Sequence, residues 1–215
     1  MNILIIHAHE NADSFCSALA NTAVSTFEKE GHTVTISDLY KKNFNPIGGK
    51  HDFKKTSDAS YYKYASEQIH AQQNNLFSDE LKEEMKLLSE ADVLIFNFPL
   101  WWFGMPAILK GWVDRVLAYG YAYGGDYGFY KEGRFKNKKA LLSITTGSPA
   151  DFYSEKGAHG RTITDILKNI HQGIFSLIGF DVLPDFVAYG ASRISDDDRK
   201  NILKEYESYI KKQLL

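Results

Sequence analysis

The chain is poor in cysteine: Cys16 is the only one in 215 residues. That excludes a disulfide framework and any zinc site built on several thiolates, and it suits a reducing compartment. An excess of one charge is missing too. A formal net charge of −2 gives no electrostatic footprint for nucleic acid or an anionic membrane surface. No run approaches the roughly 20 apolar residues of a membrane-spanning helix. The opening MNILIIHAHE carries an apolar stretch too short for a secretory core and no basic leader, so the expected location is cytoplasmic. GxGxxG, GxxxxGKS/T and GxSxG are all absent from the loops where a dinucleotide fingerprint, a P-loop or a hydrolase elbow would sit. His7 and His9 have no third histidine or carboxylate in a recognisable ligand pattern, so no metal site is expected.

What the chain does have is flat apolar surface, with 13 Tyr, 14 Phe and 3 Trp. All three Trp fall in 96-FNFPLWWFGMPAILKGW-112, where Pro99, Gly104 and Pro106 mark a turn between a strand-like run and a helix. The length suits one domain over 1–215 with a substantial core. Ile3–Ile6 reads as a strand buried on both faces. Ser14 is a good N-cap for a helix with apolar positions Phe15, Ala18, Leu19, Ala23 and Phe27, closed by Gly31. Strands follow at 33–37, 92–98, 139–146 and about 180–190. Helices are expected at 78–91, with Ser78 capping, at 106–120, from about 160 to Leu177, and at 196–214. Residues 40–75 and the Gly- and Tyr-rich 119–135 are long excursions, which in compact domains are usually functional.

Five strands alternating with helices predict an α/β fold, a doubly wound parallel sheet with helices on both faces and right-handed crossovers. Ligands of such sheets bind beyond the carboxyl ends of the strands, which singles out residues 7–16, 99–105, 145–159 and 189–195. The first segment ends at a helix N-terminus, an anion site by virtue of its free N–H groups, to which Ser14 and His9 can add donors. Ser14 equally serves as a plain cap. In the second, three adjacent aromatics cannot all point into a core, so at least one of Trp101, Trp102 and Phe103 lines a cleft or a partner surface. In the third, TTGS offers small residues and backbone donors at 145–148. Tyr153 and His159 further on suit hydrogen bonding to developing charge and a proton relay, and a Tyr and a His in a loop equally serve as plain surface residues.

The chain resembles the NAD(P)H:quinone oxidoreductases of the DT-diaphorase type, flavoproteins with a flavodoxin-like fold. The resemblance covers nearly the whole length and is carried by SDLY…FNP at 37–46, IFNFPLWWFGMPAILKGWVDRV, KKALLSITTG and YSEKGAHG. It implies FAD, rather than FMN, held by His9, Ser14, Phe15 and Cys16. The ring would lie against Pro99, Leu100, Trp101, Trp102 and Phe103, with further contacts from Thr145, Thr146, Gly147, Ser148 and Tyr153, and Arg199 would reach the cofactor. By the same resemblance Tyr153 and His159 form the catalytic pair, and Trp102, His159, Tyr123 and Tyr127 face the substrate. The last two belong to a loop that reaches over the site of the other subunit of a homodimer.

The implied reaction is a ping-pong exchange in which NADH or NADPH passes a hydride to the flavin and leaves. A quinone or related acceptor then takes two electrons. Three positions depart from the family pattern: Cys16 stands for Asn, Trp101 for Gln, and Lys63 falls near a Gln that touches the adenosine. Trp101 is thereby marked for a changed acceptor preference. The chain stops at Leu215, without the C-terminal extension of longer relatives, which leaves the choice of NADH or NADPH open. A flavin-binding accessory subunit of a larger system such as a potassium efflux protein, and an azo- or nitroreductase, stand as alternatives. A one-electron carrier has no use for the Tyr/His pair.

Overall fold

A computed structural model describes residues 1–58 and 60–214. Its elements run β1 (Asn2–His7), α1 (Phe15–Lys29), β2 (Thr33–Asp38), α2 (Tyr64–Asn74), α3 (Asp79–Glu90), β3 (Val93–Pro99) and α4 (Ala107–Val116). They continue with β4 (Lys139–Thr145), α5 (Ile163–Ile166), α6 (Lys168–Ile170), β5 (Asp181–Val182), β6 (Phe186–Ala188) and α7 (Asp196–Leu214). The strands form one parallel sheet in the order β2-β1-β3-β4-β5, with β6 also paired to β4. Strand order reverses between β1 and β3, so the predicted binding crevice opens there.

Alternation along the strands divides the core in two. Leu4, Ile6, Leu94, Phe96 and Phe98 pack with the helical layer that includes Leu81, Leu109 and Trp112. Ile3, Ile5, Val93, Ile95 and Leu141 pack with Leu19, Phe27, Tyr206 and Ile210 on α1 and α7. Both predicted caps hold, since the hydroxyls of Ser14 and Ser78 accept the N–H groups of Ser17 and Leu81. Among the described residues no helix is long and apolar enough to cross a membrane.

Three element boundaries differ from expectation. The strand expected over 180–190 is two short strands, because Pro184 has no N–H to donate to the ladder. The sheet therefore has six strands rather than five. The helix expected over 106–120 has Pro106 as its N-cap and ends at Val116. Beyond it the N–H groups of Tyr121 and Ala122 both turn back to the carbonyl of Ala118. The helix expected up to Leu177 is α5, α6 and a π-helical stretch, His171–Ser176.

The 40–75 excursion is tied down by a buried ion pair. Arg115 on α4 donates to Asp52 at 2.6 and 2.9 Å, and Tyr64 and the Gly49 N–H donate to the other carboxylate oxygen. Beside it Gly111 lets α4 approach the chain at Pro46, whose carbonyl oxygen would lie 2.2 Å from an added Cβ. Helix propensity alone favours Ala over Gly by about 1 kcal/mol. Here backbone meets backbone, so Gly111→Ala is expected to lower stability by about 1–3 kcal/mol in urea denaturation. An unchanged or raised midpoint would show that this contact is loose.

Candidate active site

The carboxyl ends of β1, β3 and β4 carry the loops that build the crevice. A cleft of about 680 Å³ is lined by His9, Ser14, Phe15, Cys16, Pro99, Leu100, Trp101, Thr145, Thr146, Gly147 and Arg199, eleven of the residues expected from sequence. Its lining adds Asp13 and Ala18 at α1 and a wall of Ala191, Ser192 and Asp196, none of which the sequence reading named individually as a site residue. The segment 189–195 was marked only by its place after a strand, and Asp196 only as part of an acidic helix start.

The cleft is rich in donors. The first two amides of α1, on Phe15 and Cys16, have no acceptor among the described residues, as the start of a helix dictates. His9 accepts the N–H of Asn11 on Nδ1 at 3.0 Å, so the neutral ring carries its proton on Nε2. Arg199, at the start of α7, is held by Asp196 at 2.6 Å and donates Nε to the Ala191 carbonyl at 3.2 Å. Burial pushes the Cys16 thiol up to about 12, so it stays protonated. Its S–H points inward to Asn97 Oδ1 at 3.4 Å.

The aromatic turn is a strained one. Trp101 and Gly104 exchange backbone hydrogen bonds at 3.2 and 2.9 Å, while Trp102 and Phe103 between them sit at φ +49° and +59°. Two positive φ values at the centre of a four-residue turn are the type I′ pattern, which favours Asn-Gly. Bulky residues there cost of order 1–3 kcal/mol each, a strain that tends to gather at functional sites. The N–H groups of Trp102 and Phe103 have no acceptor among the described residues. The side chains are not core: Trp101 is 41% exposed, Phe103 43% and Trp102 98%. The third indole, Trp112, is the buried one, its N–H given to Glu84 at 2.8 Å.

The loop after β4 closes the other side. The Thr146 hydroxyl donates to the Ser148 carbonyl, and Gly190 and Ala191 donate to the carbonyls of Ser148 and Thr146, which fastens this loop to the end of β6. The N–H groups of Gly147 and Ser148 remain free among the described residues. Ser148, Tyr153, His159, Trp102 and Phe103 do not line the 680 Å³ cleft. Tyr153, His159 and Phe103 cluster together instead, while Trp102 is exposed. His159 packs its ring 4.4 Å from Phe103 and 6.3 Å from Tyr153, and its Nδ1 is buried with no partner. An orphaned buried ring nitrogen is costly unless a ligand satisfies it.

Trp101 sits on the other side of its turn, with its indole tilted 6.2 Å from the His9 ring. Its departure from the family pattern therefore bears first on the wall shared with His9, away from Tyr153 and His159. Tyr123 and Tyr127 are not in the cleft of their own chain. Tyr123 packs against the core, and Tyr127 is bonded to Arg134. Lys63 is exposed at the N-cap of α2 and also lies outside the cleft.

The flavodoxin-like fold, as a sequence family, matches residues 1–214. The chain belongs to this family. Within it the chain is 38% identical over 210 residues to ribosyldihydronicotinamide dehydrogenase (quinone) of Rattus norvegicus, covering 97% of this chain and 90% of that one. It is 40% identical over 209 residues to NAD(P)H dehydrogenase (quinone) 1 of the same organism, covering 96% and 75%. Among solved structures, an NAD(P)H:quinone oxidoreductase from Methanothermobacter marburgensis superposes with a TM-score of 0.75 at 25% identity, covering 97% and 96%. A flavodoxin-like chain places its ligand at the switch point of the sheet, where this cleft lies.

Proposed function

We propose that the protein is a flavin-dependent NAD(P)H oxidoreductase that reduces quinones or related acceptors by two-electron hydride transfer in a ping-pong cycle. The observation that carries this reading is the meeting of two loops. The strained turn offers the free N–H groups of Trp102 and Phe103, and against it stand Tyr153 and His159 with an unpartnered buried nitrogen. Backbone donors there suit the polar edge of a planar ring, and the aromatic side chains exclude water. A bound flavin supplies hydride acceptance and donation. Tyr153 and His159 hold hydrogen bonds to charge that develops at the ring edge, which is where preorganised donors act most strongly.

FAD is favoured over FMN by the two-part shape of the site. Trp102, Phe103 and Ser148 of the ring-binding loops lie outside the cleft, while the cleft itself takes in the α1 N-terminus together with Ala191, Ser192, Asp196 and Arg199. A mononucleotide ends at its phosphate, at α1. The second half of a dinucleotide has this wall to rest on, between Trp101 and Arg199.

A homodimer follows from the same reading. Tyr123 and Tyr127 stand outside their own cleft, and Trp102, Phe129 and Tyr130 are large apolar side chains left exposed. A second copy would bring the 119–135 loop over the ring site. Sedimentation analysis at assay concentration is expected to show a dimer, and Tyr123→Ala is expected to raise KM for the quinone while flavin stays bound. A fully active monomer would defeat the shared site. The activity itself is tested by releasing and identifying the flavin of the purified protein, then following NADH and NADPH oxidation with and without menadione. Flavin binding without turnover would point instead to an accessory role.

A further inference from the structure

Beneath the cleft lies a row of polar residues that the ring-binding reading does not use. Register across the sheet aligns Asp38, His7, Asn97 and Ser143 on β2, β1, β3 and β4. His7, Asn97 and Ser143 are buried on the α1 side, directly above the apolar layer of Ile5, Ile95 and Leu141. Asn97 donates Nδ2 to the Ser143 carbonyl at 3.3 Å and to its hydroxyl at 3.1 Å, which turns Oδ1 toward His7. His7 Nδ1 lies 2.6 Å from that oxygen, and an amide oxygen only accepts, so Nδ1 carries a proton. On the far side of the ring, Nε2 lies 3.1 Å from the Ser17 hydroxyl. Ser17 is in turn 2.9 Å from the Ser14 hydroxyl and 2.9 Å from the Asn11 carbonyl. The ring thus joins the strand that feeds the aromatic turn to the cap of α1.

Two hydrogen arrangements fit this chain of contacts. With a neutral ring, Ser17 donates to His7 Nε2, the Ser14 hydroxyl donates to Ser17, and the Asn11 carbonyl is satisfied by the Ser14 N–H at 3.2 Å. With an imidazolium, Nε2–H donates to Ser17 and Ser17 donates to Asn11. The Ser14 hydroxyl is then free to face the cleft. Opposing this is burial, which lowers the ring from its ordinary value of 6.5; Asp38 on β2 raises it and His9 in the loop lowers it. Cys16 on α1 and Tyr206 on α7, both pushed up by burial, stay protonated and neutral. A negative charge on the first turn of α1 adds to the Asp38 effect.

We propose that His7 is the positioning residue of the cofactor site, taking up a proton from solvent when the phosphates of the flavin seat on the first turn of α1. The inference rests on the flavin reading above. The proton locks Asn11, Ser17 and the Ser14 cap in the arrangement that binds the anion. Because the bound form then holds more protons than the free form, affinity rises as pH falls. The rise begins at the raised value of the bound state and is complete below the lowered value of the free state.

The test is proton uptake on adding FAD to the apoprotein, measured by calorimetry in buffers of different ionisation enthalpy. The pyrophosphate of FAD does not titrate near neutrality, so uptake reports on the protein. Uptake of up to about one proton is expected, with an FAD affinity that strengthens by up to about tenfold per pH unit inside the window. His7→Asn and Ser17→Ala are each expected to abolish the uptake, whereas His9→Asn leaves it. The ring nitrogens of His7, followed by NMR in the unaltered protein, should move to the imidazolium state on saturation, which needs no variant to fold. FAD binding with no uptake, or uptake that survives His7→Asn and vanishes in His9→Asn, would overturn the proposal alone. No FAD binding at all would overturn it together with the flavin reading.

Discussion

Replacing His159 by Gln is expected to slow flavin reduction by NAD(P)H roughly 10²-fold while leaving FAD affinity within a few-fold. The asymmetry follows from where the residue sits. His159 and Tyr153 belong to the loop after β4, outside the cleft that holds the phosphate and adenosine portions in this account. Their rings pack against each other and against Phe152, and His159 also packs against Phe103, at the ring end. An interaction made chiefly with developing charge appears in the rate and barely in ground-state binding. Tyr153→Phe keeps the buried ring, which also packs 5.9 Å from Tyr189, and removes only the hydroxyl. It should therefore slow the same step with no loss of thermal stability. Stopped-flow bleaching of the flavin gives the rate, and fluorescence titration gives the affinity. An unchanged hydride-transfer rate in either variant would remove that residue from the catalytic pair. Equal losses in rate and affinity would make it a binding residue instead.

The largest stability effect is expected at Arg115. Its guanidinium is 1% exposed and pairs with Asp52 at 0%, and it also reaches Glu80 at 2.8 Å and the Asn45 carbonyl. Burial alone would lower its pKa, but the two carboxylates outweigh that and raise it, so the charge is retained. Arg115→Leu strands the Asp52 carboxylate in the core, and losing one partner of a buried pair costs about 3–5 kcal/mol. Because Asp52 also receives Tyr64 and the Gly49 N–H, the loss should loosen the 40–75 excursion around them. Urea denaturation is expected to show that drop, and the double variant Arg115→Leu, Asp52→Asn should lose less than the two single losses combined. A change below about 1 kcal/mol in Arg115→Leu would show that the pair is solvated and does not hold the excursion in place.

The elements at the site were legible wherever a local signal carried them. Ser14 and Ser78 announce their helices, and the continuous apolar run Ile3–Ile6 and the apolar stretch 93–98 announce buried strands. The aromatic turn was legible because three adjacent bulky residues cannot share one core face, and the exposures of Trp101, Trp102 and Phe103 bear that out. Pro184 inside an otherwise strand-like run was a readable warning of the break between β5 and β6. What stayed hidden depends on register between strands distant in sequence. Asn97 in the apolar run DVLIFNF was a visible oddity, but only the pairing of β1 with β3 and β3 with β4 sets it between His7 and Ser143. The 189–195 segment was marked by its place after a strand, but which of its residues and of α7 form the wall is fixed by the packing of α7 on α1 and not by any motif.

The central claim is that the cleft and the paired loops hold a flavin that carries hydride from a nicotinamide to a quinone. Anaerobic stopped-flow with the purified, flavin-loaded protein tests it most directly. Mixing with NADH or NADPH should bleach the flavin absorbance in one two-electron phase, and a second mix with menadione should restore it completely. A protein that binds no flavin, or whose flavin is bleached and then not reoxidised by the quinone, would contradict the account.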